Sequence, residues 1–187
     1  SYHPCQILAD ALTILEKFGT LDVNLMYIGA KNNVFNSHVE FFSKMKKGTL
    51  YGLTPLVNET ACGPDFYEEA KKSGHYIELD PAMSMEEAKE YANKMDVLYT
   101  DTWVDMEFFN NPAYQKQKEE TLAKMMPYQL NGDFTKDSKA IVFHDMPMHV
   151  GFEISQDVVD KNLDHILDEA ENRRHAEKAV MYTLLNS

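Results

Sequence analysis

The stretch VNLMYIGAKNNVFNSHVEFFSKM, residues 23–45, sets the architecture. Residues 23–29 are an apolar run of strand length, the pattern of a strand buried on both faces. Residues 33–45 then read as a helix that ends in basic residues just before Gly48. The alternation continues in both directions. Upstream, residues 6–18 place Ile7, Leu8, Leu12, Leu15 and Phe18 on one helical face. Downstream, strands are predicted at 50–54, 76–80, 96–100 and 140–144, with helices at 64–74, 84–95 and 112–125 between them. The helix at 64–74 has proline near its start and glycine after it, and that at 84–95 opens with Ser84 and Glu87 in capping-box spacing. After a turn-rich connector at 131–138 and the strand at 140–144 come a loop, a short helix near 155–162 and a strand at 165–167. A last helix is predicted from about 169 to 185, with Asp168 and Glu171 again in capping-box spacing.

Strands separated by helices of ten to fifteen residues predict right-handed βαβ units. The expected fold is α/β, a Rossmann-like three-layer domain over residues 1–187, with a mostly parallel sheet and helices on both faces. The first helix has no strand before it, which suggests a chain that begins part-way into something larger. The 187 residues, 44% of them hydrophobic, suffice for one core. Thirty acids against eighteen bases give a net charge of −12. That balance speaks against a nucleic-acid or anionic-membrane surface, which needs a basic face. No apolar run is long enough to span a bilayer. The two cysteines, Cys5 and Cys62, form no disulfide framework and suit a reducing cytoplasm.

Ligands of open parallel sheets sit beyond the carboxyl ends of the strands. There the sequence places GAKNN (29–33), DTWVDM (101–106) and HDMPMH (144–149), a convergence of polar groups at one edge. GAKNNV lacks the glycines of a dinucleotide fingerprint. His144, Asp145 and His149 have the chemistry of metal ligands, although the intervening proline removes a shared helical face. Taken singly, Asp101 could be a helix cap, Trp103 a core residue and His3 a surface histidine.

HPCQILADALTILEKFG, IGAKNNVFNS, YTDTWVDM, HDMPMHVGFEI and DEAENRRHAEKAV resemble, in order and approximate spacing, the second domain of ornithine carbamoyltransferases. The resemblance covers essentially the whole chain. D-T-W favours the ornithine branch over the aspartate branch, and the short loop between Pro147 and Glu171 looks unlike the knotted acetylornithine type. The resemblance implies transfer of the carbamoyl group of carbamoyl phosphate to the δ-amine of ornithine, with no cofactor or metal. It implies that His3 and Gln6 contact the carbamoyl group, that Arg173 binds carbamoyl phosphate, and that Asn33 and Asp101 hold the amino-acid end of ornithine. Met106 would add backbone contact after D-T-W, beside Asp105, and Asp145 and Met146 would line the acceptor end. Asp101, Asp145 and His3 are the expected catalytic groups.

The chemistry supports these roles. Amine attack on a carbonyl needs a neutral amine, a polarised carbonyl and both held in line. His3 and Gln6, at a helix start, can donate to an oxygen gaining charge. The Arg173 fork suits a phosphate, and its expected place in the first turns of a helix is unfavourable for a cation unless an anion binds there.

Three departures from the family pattern stand out. H-C-L-P reads His144-Asp145-Met146-Pro147, S-M-G reads Asp105-Met106-Glu107, and the acid usual after Gly29 is Ala30. A carboxylate at 145 favours the ammonium form of the acceptor unless it serves as a general base. Added acids suit a diamine or modified amine better than an amino acid, so altered acceptor specificity stands beside a divergent ornithine enzyme. A non-catalytic binding module and a metal hydrolase using His144 and His149 are the further alternatives. Family members carry an earlier domain with a Ser-x-Arg-Thr phosphate loop and assemble as homotrimers. This chain is therefore expected to be a substrate-binding half, without turnover alone, whose first and last helices leave apolar faces (Leu12, Leu15; Val180, Leu184) exposed.

Overall fold

Side chains of alternating direction bury the sheet on both faces. The computed structural model describes every residue except Asp105, and every side chain except those of Asp105, Met106 and Glu107. Among the described residues, β1 (Asn24–Lys31), β2 (Thr49–Val57), β3 (Tyr76–Glu78), β4 (Val97–Thr100) and β5 (Ile141–His144) form one sheet in the order β3-β2-β1-β4-β5. All four pairings are parallel. Leu25 and Tyr27 of β1, Val97 and Tyr99 of β4 and Phe143 of β5 enter one core, with Val34, Phe35, Val39 and Phe42 of α2 (Asn33–Met45). The intervening Met26, Ile28, Leu98 and Val142 enter the other. Their partners there are Ala88 and Ala92 of α4 (Met85–Ala92), Phe134 of α7 (Gly132–Thr135) and Ile166 of α8 (Gln156–Leu185). This period of two, apolar on both sides, is why the strands read as unbroken apolar runs.

α1 (Pro4–Phe18) packs along α8 and α2, and α3 (Pro64–Lys71) against α2. α5 (Met106–Phe109) and α6 (Gln115–Met125) follow β4, a 3₁₀ turn at Pro112–Tyr114 standing between them. The expected capping box of α4 is present: Ser84 Oγ accepts from the Glu87 amide at 3.2 Å, and the Ser84 amide donates to Glu87 Oε2 at 2.9 Å. No helix among the described residues is long and apolar enough to cross a membrane.

The structure corrects the sequence reading in three places. Residues 156–185 form one 30-residue helix, so there is neither a strand at 165–167 nor a new start at Asp168. Ile166, Glu169, Asn172 and Ala176 form one buried stripe at helical spacing, and two of its members are polar. Arg173 therefore sits in the middle of a helix, and the dipole argument for its anion affinity falls away. On α1 the buried face is Gln6, Ile7, Ala9, Asp10, Thr13 and Ile14, while Leu8, Leu15 and Phe18 are exposed. Leu12 is only half-buried, and Val180 and Leu184 are exposed as expected. Finally, β1 runs on through Gly29, Ala30 and Lys31 across a register irregularity, so residues placed in a loop belong to the strand.

Candidate functional site

The chain runs outward from β1 to β2 and β3, then crosses back to add β4 on the other side of β1. The carboxyl ends of β1 and β4 thus flank the point where strand order reverses, the place where a crevice opens in such sheets. Asn32 and Asn33 follow β1, and Asp101 follows β4. The Asn32 side chain bridges the gap: its oxygen caps α2 by accepting from the Phe35 amide at 2.9 Å, and its Nδ2 donates to Asp101 Oδ2 at 2.6 Å. Asp101 Oδ1 accepts from the Thr102 amide, also at 2.6 Å. Asp101 is only 5% exposed, and these bonds fix its carboxyl in place.

Asp145 follows β5 beside Asp101, because Thr100 and His144 pair in register on neighbouring strands. Its side chain is 11% exposed. Burial first, and then the charge of Asp101, push the Asp145 carboxyl well above the usual carboxylate range. The turn carrying it is fixed by His144, whose Nδ1 accepts from the Met146 amide at 3.0 Å while its Nε2 faces Glu153 Oε1 at 3.2 Å. An accepting Nδ1 places the ring proton on Nε2. Met146 itself has φ 52°, in the left-handed region, a strain of about 1 kcal/mol for a non-glycine residue that this bond helps offset. Glu153 also accepts from the His149 amide, and the His149 ring stacks on Phe109 at 3.6 Å. Both nitrogens of His144 are thus engaged within the protein. Among the described residues no group of three or more metal-capable side chains is assembled.

Beneath this rim lies a second polar layer. Gln6 Nε2 donates to Asp10 Oδ1 and Glu169 Oε1, each at 2.9 Å, and Glu169 Oε2 accepts from the His144 amide at 2.8 Å. Glu169 therefore links α8 and α1 to the end of β5. Asp10 Oδ2 lies 3.1 Å from His38 Nε2, and His38 Nδ1 lies 3.0 Å from the Val34 carbonyl oxygen. A carbonyl only accepts, so the His38 proton is on Nδ1 and its Nε2 must accept. Asp10 is then the acid that donates. Burial pushes Asp10 up to about 7 and His38 down to about 4, as an uncharged pair requires. Burial likewise raises the Glu169 carboxyl, with Asp10 adding to the effect.

The cationic side of the rim is Arg173 with His3. Arg173 Nη2 lies 3.5 Å from His3 Nε2, and its Nε lies 3.5 Å from Glu177 Oε1, leaving a guanidinium that is 39% exposed. The His3 amide donates to Ser37 Oγ at 2.7 Å. Burial and then Arg173 lower the His3 pKa, while Asp101 acts in the opposite direction, so His3 is neutral at pH 7 and feels both charges. Asn33 is half-buried, with its amide on Thr60 Oγ1 at 3.2 Å. Alongside, a cavity of about 370 Å³ is lined by Asn58, Thr60, Trp103, Lys118 and Thr121.

The family model for the Asp/Orn binding domain of aspartate/ornithine carbamoyltransferase matches residues 21–184. This chain belongs to the aspartate/ornithine carbamoyltransferase family. It is 36% identical over 190 residues to an ornithine carbamoyltransferase of Chlorobaculum tepidum, covering 98% of this chain and 52% of that protein. The ornithine carbamoyltransferase of Pyrococcus horikoshii is 37% identical over 199 residues, with 98% and 56% covered. The solved ornithine carbamoyltransferase of Pyrococcus furiosus superposes with a TM-score of 0.77 at 32% identity, over 96% of this chain and 55% of that one. The chain spans about half the length of the curated relatives it matches.

Within this carbamoyltransferase domain, Arg173 contacts His3, Asp101 and Asp145 follow the neighbouring ends of β4 and β5, and Asn33 follows β1 with its amide on Thr60. Asp105 and the Met106 side chain lie outside the described residues; Met106 opens α5. The Met146 side chain is exposed at the edge. Gln6 turns inward, its amide nitrogen committed to Asp10 and Glu169. Sequence reasoning missed Asn32, Asp10 and Glu169. Asn32 had a readable signal, an asparagine directly before a helix; Asp10 and Glu169 lie in surface-like polar patterns and had none.

Proposed function

We propose that this chain is the acceptor-binding half of a cytoplasmic carbamoyltransferase. The complete protein would be a homotrimer that transfers the carbamoyl group of carbamoyl phosphate to the side-chain amine of ornithine or a related amine. The observation that carries this reading is the fixed Asp101 carboxylate at the β1–β4 switch point, beside Asp145, with Arg173 and neutral His3 close by. Asp101 and Asn33 bind the polar end of the acceptor. Arg173 offers the carbamoyl phosphate a planar donor fork. His3 contributes a donor at the α1 start, where carbonyl charge develops, and the Gln6 oxygen remains to accept from the carbamoyl amide. Met146 borders the acceptor pocket.

A second reading is favoured by the two carboxyls, Asp101 and Asp145, at the neighbouring ends of β4 and β5. Together they disfavour an acceptor's own carboxylate, which suits a diamine better than ornithine. The test is an acceptor screen on the complete protein with carbamoyl phosphate, following phosphate release. Release that depends on ornithine or on 1,4-diaminobutane supports carbamoyl transfer and selects the acceptor; no amine-dependent release would refute it.

A further inference from the structure

β5 is an edge strand, and its outward amides have no further strand to pair with. Side chains of α8 take that place. The Val142 amide donates to Asn162 Oδ1 at 3.0 Å, and the His144 amide to Glu169 Oε2 at 2.8 Å. The same helix is joined to α1 by a polar seam. Gln6 Nε2 donates to Glu169 Oε1 at 2.9 Å, and Asn172 Nδ2 donates to Thr13 Oγ1 at 3.0 Å and to Glu16 Oε2 at 2.7 Å. Glu169, with no exposed surface, belongs to both sets. Apolar side chains tolerate sliding and rotation between helices, whereas buried hydrogen bonds hold one register. The register held at Glu169 has two consequences. On one side Gln6 is fixed by its amide nitrogen, and Arg173, one helical turn beyond Glu169, comes to 3.5 Å from His3 Nε2. On the other the end of β5 is pinned where His144 shapes the turn that carries Asp145 and Met146.

On the carbamoyltransferase reading, on which this inference rests, those are the two substrate sides of the site. We propose that Glu169 is a positioning residue that aligns them: its one carboxyl ties the carbamoyl phosphate contacts on α1 and α8 to the acceptor turn after β5. Fully buried, Glu169 touches neither substrate and acts through Gln6, Arg173 and His144. Amine attack on a carbonyl depends steeply on placement, and a displacement of about 1 Å costs roughly 10²-fold in rate. Each substrate still finds its own contacts when the tie is cut, so the loss falls on kcat rather than on KM. Glutamine is no substitute for Glu169. Both carboxyl oxygens accept, one from Gln6 Nε2 and one from the His144 amide, and an amide of the same shape turns its own N–H groups toward one of those donors. Aspartate keeps both acceptors but is one methylene too short to reach both partners.

The experiment is steady-state kinetics of the complete enzyme with its best acceptor, in the wild type, Glu169→Gln and Glu169→Asp, with kcat referred to the folded fraction from thermal unfolding. Amide spectra of the isotopically labelled chain carrying the same substitutions are read alongside. The expected result is a kcat per folded molecule lower by about 10- to 100-fold in both variants, with KM for each substrate within about threefold of wild type. The His144 and Met146 amide resonances should move. A residue that only holds the fold together lowers the folded fraction and leaves kcat per folded molecule as it was. A kcat within about threefold of wild type therefore overturns the proposal. So does a loss carried by the KM of one substrate alone, which places Glu169 in one subsite and not between two. Unmoved His144 and Met146 resonances also overturn it, and so do two variants that both fail to fold, since Glu169 is then a folding residue. A wild type that transfers carbamoyl to no amine overturns the parent reading, and this one with it; an active wild type with unimpaired variants overturns this one alone.

Discussion

Replacing Asp10 by Asn tests the buried layer that supports the site. The geometry assigns the pair one proton, on Asp10, because His38 presents its Nε2 lone pair 3.1 Å from Asp10 Oδ2. Asn keeps an N–H that can donate to that nitrogen, so the contact survives and only the titration is removed. In the wild type, Asp10 rises from its ordinary 3.8 to about 7 on folding, chiefly through burial. The folded chain then holds a proton between pH 4 and 7 that the unfolded chain has released. Stability from this group is complete below pH 4 and is lost as pH climbs to 7. The loss amounts to about 1.4 kcal/mol per pH unit, or roughly 4 kcal/mol across the window. His38, lowered to about 4 by burial, works the other way between pH 4 and 6.5, and it does so in wild type and variant alike. Urea unfolding of both proteins at half-unit pH steps isolates the Asp10 part. The stability of Asp10→Asn minus that of wild type should climb by roughly 4 kcal/mol from pH 4 to 7. A flat difference above pH 4 is the behaviour of an ionised Asp10 paired with a charged His38, and would refute the proton assignment.

Asn32→Ala should cost about 2–4 kcal/mol in urea unfolding. It removes both the α2 cap, about 1 kcal/mol, and a charge-assisted bond to Asp101, about 1.5–3 kcal/mol. Asn32→Asp keeps the cap but sets a second carboxylate against Asp101, so its loss should shrink below pH 4; equal losses at every pH would contradict this division. Gly52→Ala would place a Cβ 2.7 Å from Phe35 Cζ and 3.3 Å from Tyr76 Cε2. It should lower the urea midpoint by an amount equivalent to about 1–3 kcal/mol with an unchanged slope, and an unchanged midpoint would show that the core yields there.

The parts of the fold legible in sequence were those specified locally. A largely apolar stretch at 23–29, a Ser84–Glu87 box and a proline–glycine pair around α3 each fix an element without help from elsewhere, although β1 runs on to Lys31 through residues expected in a loop. α8 was misread because its buried stripe contains Glu169 and Asn172, whose partners Gln6, the His144 amide and Thr13 lie far away in sequence. Hydrophobic periodicity cannot register a polar residue buried by a distant donor. The same blindness inverted α1, whose polar face turned inward. Rim residues were found because strand ends are readable. The proton relation between Asp10 and His38 depends on a tertiary distance that no pattern encodes.

The central claim is that an amine acceptor binds at the carboxyl ends of β1 and β4, on the Asp101 carboxylate. Amide and side-chain chemical-shift mapping of the isotopically labelled chain, titrated with ornithine and with 1,4-diaminobutane, tests it most directly. The account predicts saturable shifts centred on Asn32, Asn33, Thr102 and Asp145, abolished by Asp101→Asn. Shifts confined to other surfaces, or unchanged in Asp101→Asn, would contradict it.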